Sequence, residues 1–97
     1  MNLGEIVTQL DARKQRATYG AVAGIVGGLP RGLMAGRPRA PKFSWVVAAK
    51  GSSKGSRRGW PTGYTDDEIH PDCLRQIREG VDNLIEDSEA LRQWLKS

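Results

Sequence analysis

Cysteine is almost missing from this 97-residue chain: Cys73 stands alone. An internal disulfide is therefore excluded, and so is a cysteine-rich metal site. With one histidine, His70, a tetrahedral zinc site would need carboxylate help. No apolar run approaches the roughly 20 residues needed to cross a bilayer. The first residues, MNLGEIVTQLDARKQ, lack a basic-then-apolar leader pattern and carry Glu5 early. These absences predict a cytoplasmic protein that does not engage membranes. No internal repeat, Ser-His-Asp set or phosphate-cradling loop occurs, so neither an enzyme nor a bound cofactor is expected. Aromatic residues are few, six in all, and a small domain usually buries them.

What the chain does have is positive charge, unevenly placed. Residues 1–58 hold eleven Lys or Arg against two acids, Glu5 and Asp11, a balance of +9. Residues 59–97 hold four basic and nine acidic residues, a balance of −5. A basic half of this kind suits a phosphate backbone, and DNA is the expected partner. The alternative is a solvated surface whose halves attract one another.

Leu3, Ile6, Val7 and Leu10 fall on one helical face, with Gln9, Arg13, Lys14 and Arg16 largely outside it. Thr18 is a good N-cap for a second helix, whose apolar stripe would be Tyr19, Val22, Ile25 and Val26. Glycine inside a helix costs about 1 kcal/mol relative to alanine. Gly20 and Gly24 therefore need a reason, and close packing against another helix is the simplest. Gly27-Gly28 stops this helix, Pro30 suits the first turn of the next, and RGLMAG gives about two turns. The pattern is a helix-turn-helix.

RPRAPK (37–42) reads as an extended basic linker, FSWVVAA (43–49) as a strand, and KGSSKGSRRG (50–59) as a flexible basic hairpin tip. WPTGY (60–64) is expected to return beside the strand. Thr65 with Glu68 fits a capping box, Pro71 a helix N1 position, and Cys73, Leu74 and Ile77 an inward face ending at Gly80. A short strand is expected at Leu84-Ile85. Asp87 or Ser88 would cap a last helix with Leu91, Trp94 and Leu95 on one face.

RATYGAVAGIVG resembles the Thr-Tyr-Gly-x-Val-Ala segment in the C-terminal domain of the alkylguanine DNA alkyltransferases and the non-catalytic alkyltransferase-like proteins. KFSWVVAAKG is similar to that family's active-site strand, with Val46-Val47 matching its Val-Val and Ala49-Lys50-Gly51 its following turn. The resemblance covers about residues 5–51. It implies a winged-helix fold in the α/β (α+β) class: a helix-turn-helix, a β-hairpin and extra C-terminal helices. It also implies a groove-binding second helix carrying an intruding arginine, for which Arg31 is nearest and Arg37 next. The departures are at the chemistry. Phe43 stands where the alkyl-accepting Cys would be, Ser44 where the His would be and Trp45 where the Arg would be. Alkyl transfer needs an activated thiolate. Loss of transfer activity is therefore expected.

The sequence thus predicts a single domain over 1–97: helix-turn-helix and first strand to residue 49, basic loop 50–59, hairpin return and helices 60–97. It predicts non-enzymatic DNA binding, with damaged or distorted bases as a candidate target. Arg31, Arg37, Arg39, Lys42, Lys50, Lys54, Arg57, Arg58 and Tyr19 are the candidate DNA contacts, and Phe43, Trp45, Trp60 and Tyr64 the candidate base pocket. Core packing is the competing role for Trp45. His70 among Asp66, Asp67, Glu68 and Asp72 reads as a capped turn rather than a proton-transfer site. The rival to DNA binding is a protein-interaction module built on the aromatic loop 59–71 and the acidic C-terminal half.

Overall fold

In the computed structural model, residues 1–28, 32–34, 36–50 and 57–97 are described. Helix α1 spans Leu3–Arg13. Its start is fixed by a reciprocal cap: the Asn2 side chain accepts from the Glu5 N–H at 2.9 Å, and the Glu5 carboxylate accepts from the Asn2 N–H at 3.2 Å. Leu3, Ile6, Val7 and Leu10 are all buried, as their spacing predicts.

The chain then makes a two-residue strand, β1 (Ala17–Thr18), and turns directly into helix α2 (Tyr19–Val26). Thr18 is the N-cap; its hydroxyl accepts from the Ala21 N–H at 3.2 Å. The fully buried face of α2 is Ala21, Val22 and Ala23, while Tyr19, Ile25 and Val26 are only partly covered. A Cβ on Gly24 would lie 2.6 Å from the Ser88 Cβ, so the predicted close packing is real at Gly24. Gly20 has open space instead, with nothing nearer than the Thr18 hydroxyl at 4.0 Å.

The expected second helix of the helix-turn-helix does not emerge among the described residues. Residues 32–34 are turn-like rather than an α-helix, and the Arg37 N–H donates to the Met34 carbonyl at 3.1 Å. Leu29, Pro30, Arg31 and Ala35 lie outside the described residues.

The strand expected over 43–49 is corrected to a 3-10 turn over Pro41–Trp45 followed by a two-residue strand, β2 (Val46–Val47). Pro41 at the first turn position explains this: its fixed φ favours a helical start, and the Phe43 N–H closes onto the Ala40 carbonyl at 2.9 Å. Two-residue alternation is lost, and Phe43 through Ala48 are buried without a solvent face.

Most of the expected hairpin tip, residues 51–56, lies outside the described residues, and no antiparallel return pairs with β2 among those described; the returning chain makes one parallel bridge, Arg58 to Ala48. β2 pairs with β1 in parallel, Ala17 opposite Val46 and Thr18 opposite Val47. Ala17 also bridges Ile85, and the only trace of the predicted Leu84-Ile85 strand is that single bridge. Residues 60–64 form no strand; the Trp60 carbonyl accepts from the Ala48 N–H at 3.0 Å.

The remainder follows the predicted signals. Thr65 and Glu68 form their capping box around a 3-10 turn, Asp66–Glu68. Helix α3 (Pro71–Glu79) starts at Pro71 and ends at Gly80 in the left-handed conformation, φ +70°. Helix α4 (Ser88–Lys96) is capped by Asp87, and its Leu91 is fully buried. The result is a small, mostly helical domain, with four α-helices and a minimal parallel ribbon among the described residues, measuring 29 × 25 × 22 Å. No helix among the described residues is long and apolar enough to cross a membrane.

Candidate nucleic-acid interface

No Asp or Glu occurs between residues 12 and 65. Any cation in that stretch must reach outside it for a carboxylate. The folded chain sorts its cations accordingly. Lys14 pairs with Asp72 at 3.0 Å, Arg75 with Asp72 at 3.2 Å, Arg78 with Asp66 at 2.7 Å and Arg92 with Glu89 at 3.7 Å. Arg58, one of the expected DNA contacts, is engaged internally: it bridges Glu86 at 2.5 Å and Asp82 at 3.2 Å. That bridge raises the Arg58 pKa and holds the Glu86 carboxyl below its ordinary range, with the hydrogen bond as the leading cause in both.

Among the described residues, no carboxylate pairs with Arg37, Arg39, Lys42, Lys50 or Arg57. All are solvent-exposed. Two have aromatic neighbours instead. The Arg57 guanidinium lies 3.9 Å from the Trp60 ring centroid, and the Lys42 ammonium 5.1 Å from that of Phe43. Arg31 and Lys54 lie outside the described residues.

Arg37 and Arg39 share a cavity of about 300 Å³ with Tyr19, Met34, Gly36, Thr62 and Tyr64. Local chain chemistry positions each wall. Tyr19 sits at the first position of α2, set there by the Thr18 cap. Its hydroxyl oxygen accepts from the Thr62 N–H at 2.8 Å, which leaves the phenolic proton without an acceptor among the described residues. The Arg39 guanidinium lies over Gly63; a Cβ there would come 3.2 Å from Nη2, and the backbone φ is +81°. The Tyr64 hydroxyl has no hydrogen-bond partner among the described residues, and burial pushes its pKa up to about 12, aided by Tyr19 and Glu68 and opposed by Arg39. Tyr64 therefore remains a protonated donor at neutral pH. The cavity is lined by two arginines and two tyrosines, and no carboxylate lines it among the described residues; Arg37 also borders a second cavity beside Leu3 and Val26.

The remaining members of the expected base pocket are elsewhere. Trp45 is fully buried, and its Nε1–H donates to the Asp11 carboxylate at 2.9 Å. Phe43 is core as well. Both face inward because Pro41 starts the 3-10 turn, so neither can stack on a base. Trp60 lines a separate cavity with Arg16, Arg58 and Asp82. Of the expected pocket set, only Tyr64 reaches the Arg37–Arg39 cavity.

His70 acts as the N-cap of α3, its Nδ1 accepting from the Asp72 N–H at 3.1 Å, and its ring centroid is 5.2 Å from that of Trp45. Cys73 is fully buried, with its thiol 3.5 Å from the Ser44 carbonyl. Burial pushes that thiol up to about 11.

Arg16 departs most from its sequence reading. It is 3 % exposed, and no carboxylate pairs with it among the described residues. Its guanidinium donates to the Gly59 carbonyl at 3.1 Å, the Asn83 side chain at 3.1 Å and the Val81 carbonyl. Desolvation lowers its pKa, partly opposed by Cys73 and Asp82. Those acceptors lie far along the chain, so no local pattern signals them.

Comparison with protein-family models, curated proteins and solved structures found no match to this chain.

Proposed function

We propose that this chain is a non-enzymatic DNA-binding protein that engages the phosphate backbone through Arg37, Arg39, Lys42, Lys50 and Arg57. The observation that carries the reading is the sorting of charge. Carboxylates neutralise several cations outside residues 37–57 and none of the described cations within them. Unneutralised cations release counterions when they meet phosphates, which is the main source of affinity for a DNA backbone. Arg31 and Lys54 extend the same set on sequence grounds.

The fold is read as a reduced winged-helix relative in which a parallel ribbon takes the place of the hairpin. Support comes from the Thr18-capped helix opening at Tyr19, as the alkyltransferase resemblance implies. Absence of alkyl transfer rests on Phe43 occupying the nucleophile position and on Cys73 being enclosed and protonated at neutral pH. A protein-docking role for the acidic half has less support, because most of its carboxylates serve internal pairs or helix caps.

The test is a mobility-shift titration of intact and base-mismatched duplexes at two salt concentrations. Steep weakening with salt is expected. Absence of binding to duplex and single-stranded DNA at low salt overturns the reading and favours the protein-docking role.

A further inference from the structure

We infer that the Tyr19–Arg37–Arg39–Tyr64 cavity is a phosphomonoester site that takes one nucleotide unit bearing a terminal phosphate. This deepens the DNA-binding reading and rests on it for the strand as ligand source; the same chemistry could come from a free nucleoside monophosphate.

Charge sets the class. An internal phosphodiester carries one negative charge, whereas a terminal phosphomonoester carries about −1.5 to −2 at neutral pH and three strong acceptor oxygens. Arg37 and Arg39 line the cavity, with the Arg39 guanidinium seated over Gly63, and no carboxylate pairs with either arginine among the described residues. Paired arginines match a dianion better than a monoanion, and their planar forks suit phosphate oxygens. The phenolic protons of Tyr19 and Tyr64 add two neutral donors with no competing acceptor among the described residues.

Size sets the extent. About 300 Å³ is at the small end of ligand pockets, room for a single nucleotide rather than a duplex segment. Tyr19, Tyr64 and Met34 give the ribose and base an apolar and aromatic wall. The seat for Arg39 is built in: Gly63 adopts a φ of +81° and lacks the Cβ that would press on Nη2.

The experiment compares three hairpin-closed duplexes differing only at one open strand end: 5′-phosphate, 3′-phosphate or hydroxyl. A covalently closed duplex with no ends is the fourth ligand, and a nucleoside 5′-monophosphate, its nucleoside and inorganic phosphate serve as competitors. A phosphorylated end is expected to bind about tenfold tighter than the hydroxyl end. The double variant Arg37→Gln/Arg39→Gln should erase that preference and bind the closed duplex more weakly, with a shallower salt slope, through Lys42, Lys50 and Arg57. Both side chains are exposed, so the fold is expected to tolerate it, and Tyr64→Phe gives a second variant that should reduce the preference without changing charge. Competition by the monophosphate but not by the nucleoside supports the site, and a monophosphate that binds as tightly as the phosphorylated end assigns it to free nucleotides. Equal affinity for phosphate and hydroxyl ends, or a preference that survives the double variant, overturns the inference even if closed-duplex binding stands. Failure of closed-duplex binding with retained monophosphate binding instead removes the wider DNA reading and leaves the site.

Discussion

Gly59 and Gly63 stand four residues apart in one loop, each with a positive φ, +83° and +81°, and each beneath an arginine. A Cβ on Gly59 would lie 2.8 Å from Nη1 of Arg16; a Cβ on Gly63 would lie 3.2 Å from Nη2 of Arg39. The same backbone device serves two opposite ends. Arg16 is enclosed and its guanidinium ties together residues 59, 81 and 83. Arg39 is exposed and faces a cavity that its own chain does not fill. The partners decide the outcome. Backbone and amide oxygens converge on Arg16, whereas no acceptor from the described residues comes to Arg39. A buried cation whose two Nη groups are met by converging oxygens is a structural tie, even though its Nε has no partner among the described residues; an exposed one without acceptors is open to a ligand.

The widest gap between the two should come from Arg16→Ala. It strands the acceptors at Gly59, Val81 and Asn83 and removes a buried stem, and a loss of about 3 kcal/mol is expected. In a domain of this size that lowers the melting temperature by roughly 10 °C or more. An unchanged melting curve would erase the distinction drawn between the two arginines.

The next effect is alkaline. The folded Cys73 thiol titrates at about 11 against an ordinary 9.0, so the native state holds its proton more tightly than the unfolded chain. Its contribution is complete below pH 9 and is lost as pH rises toward 11, on the order of 2 kcal/mol in all. Tyr64 adds the same sign at higher pH, from 10.0 toward about 12. Denaturant titrations at pH 8, 9.5 and 11 should show the decline, and Cys73→Ala should flatten its lower part.

The glycine exchanges are of comparable size at two positions and smaller at the third. Gly59→Ala meets Arg16 inside the fold, and Gly24→Ala meets Ser88 at 2.6 Å across the α2–α4 contact, so each should cost about 1–3 kcal/mol. Gly63→Ala is strained by its φ but displaces only the exposed Arg39 side chain, so it should cost about 1 kcal/mol and disturb ligand binding more than folding. Chemical denaturation of the three side by side orders them; Gly63→Ala as the most damaging would reverse the comparison.

Least visible in stability is Arg39→Gln, expected within about 0.5 kcal/mol of the parent. Its signature lies in DNA binding, where the slope of log affinity against log salt should fall by about 1. An identical slope would place Arg39 outside the interface.

Local signals carried much of the fold. The Leu3–Leu10 stripe, the Thr18 and Asp87 caps, the Thr65–Glu68 box and the Pro71 start each depend on neighbours within four residues, and each formed. Gly24 was legible because an otherwise costly helix glycine implies a close neighbour. What failed was long-range or competitive. FSWVV has strand composition, but Pro41 just ahead of it imposes a turn. Strands of two residues have no periodicity to read, so the pairing of residue 17 with 46 and 85 left no trace in the sequence. Of the candidate site, Tyr19, Arg37, Arg39 and Tyr64 were named in the sequence by residue type alone. Their shared cavity, and the removal of Phe43, Trp45 and Arg58 from it, depended on packing and ion pairing that no spacing encodes.

The ribbon through Ala17 has a kinetic corollary. Its two flanking partners come from residues 46 and 85, the second only after most of the chain has been made. Non-local pairings carry a loop-closure cost before they are rewarded, so the Ala17–Ile85 bridge is expected to form late in refolding relative to the local turns of α1 and α2.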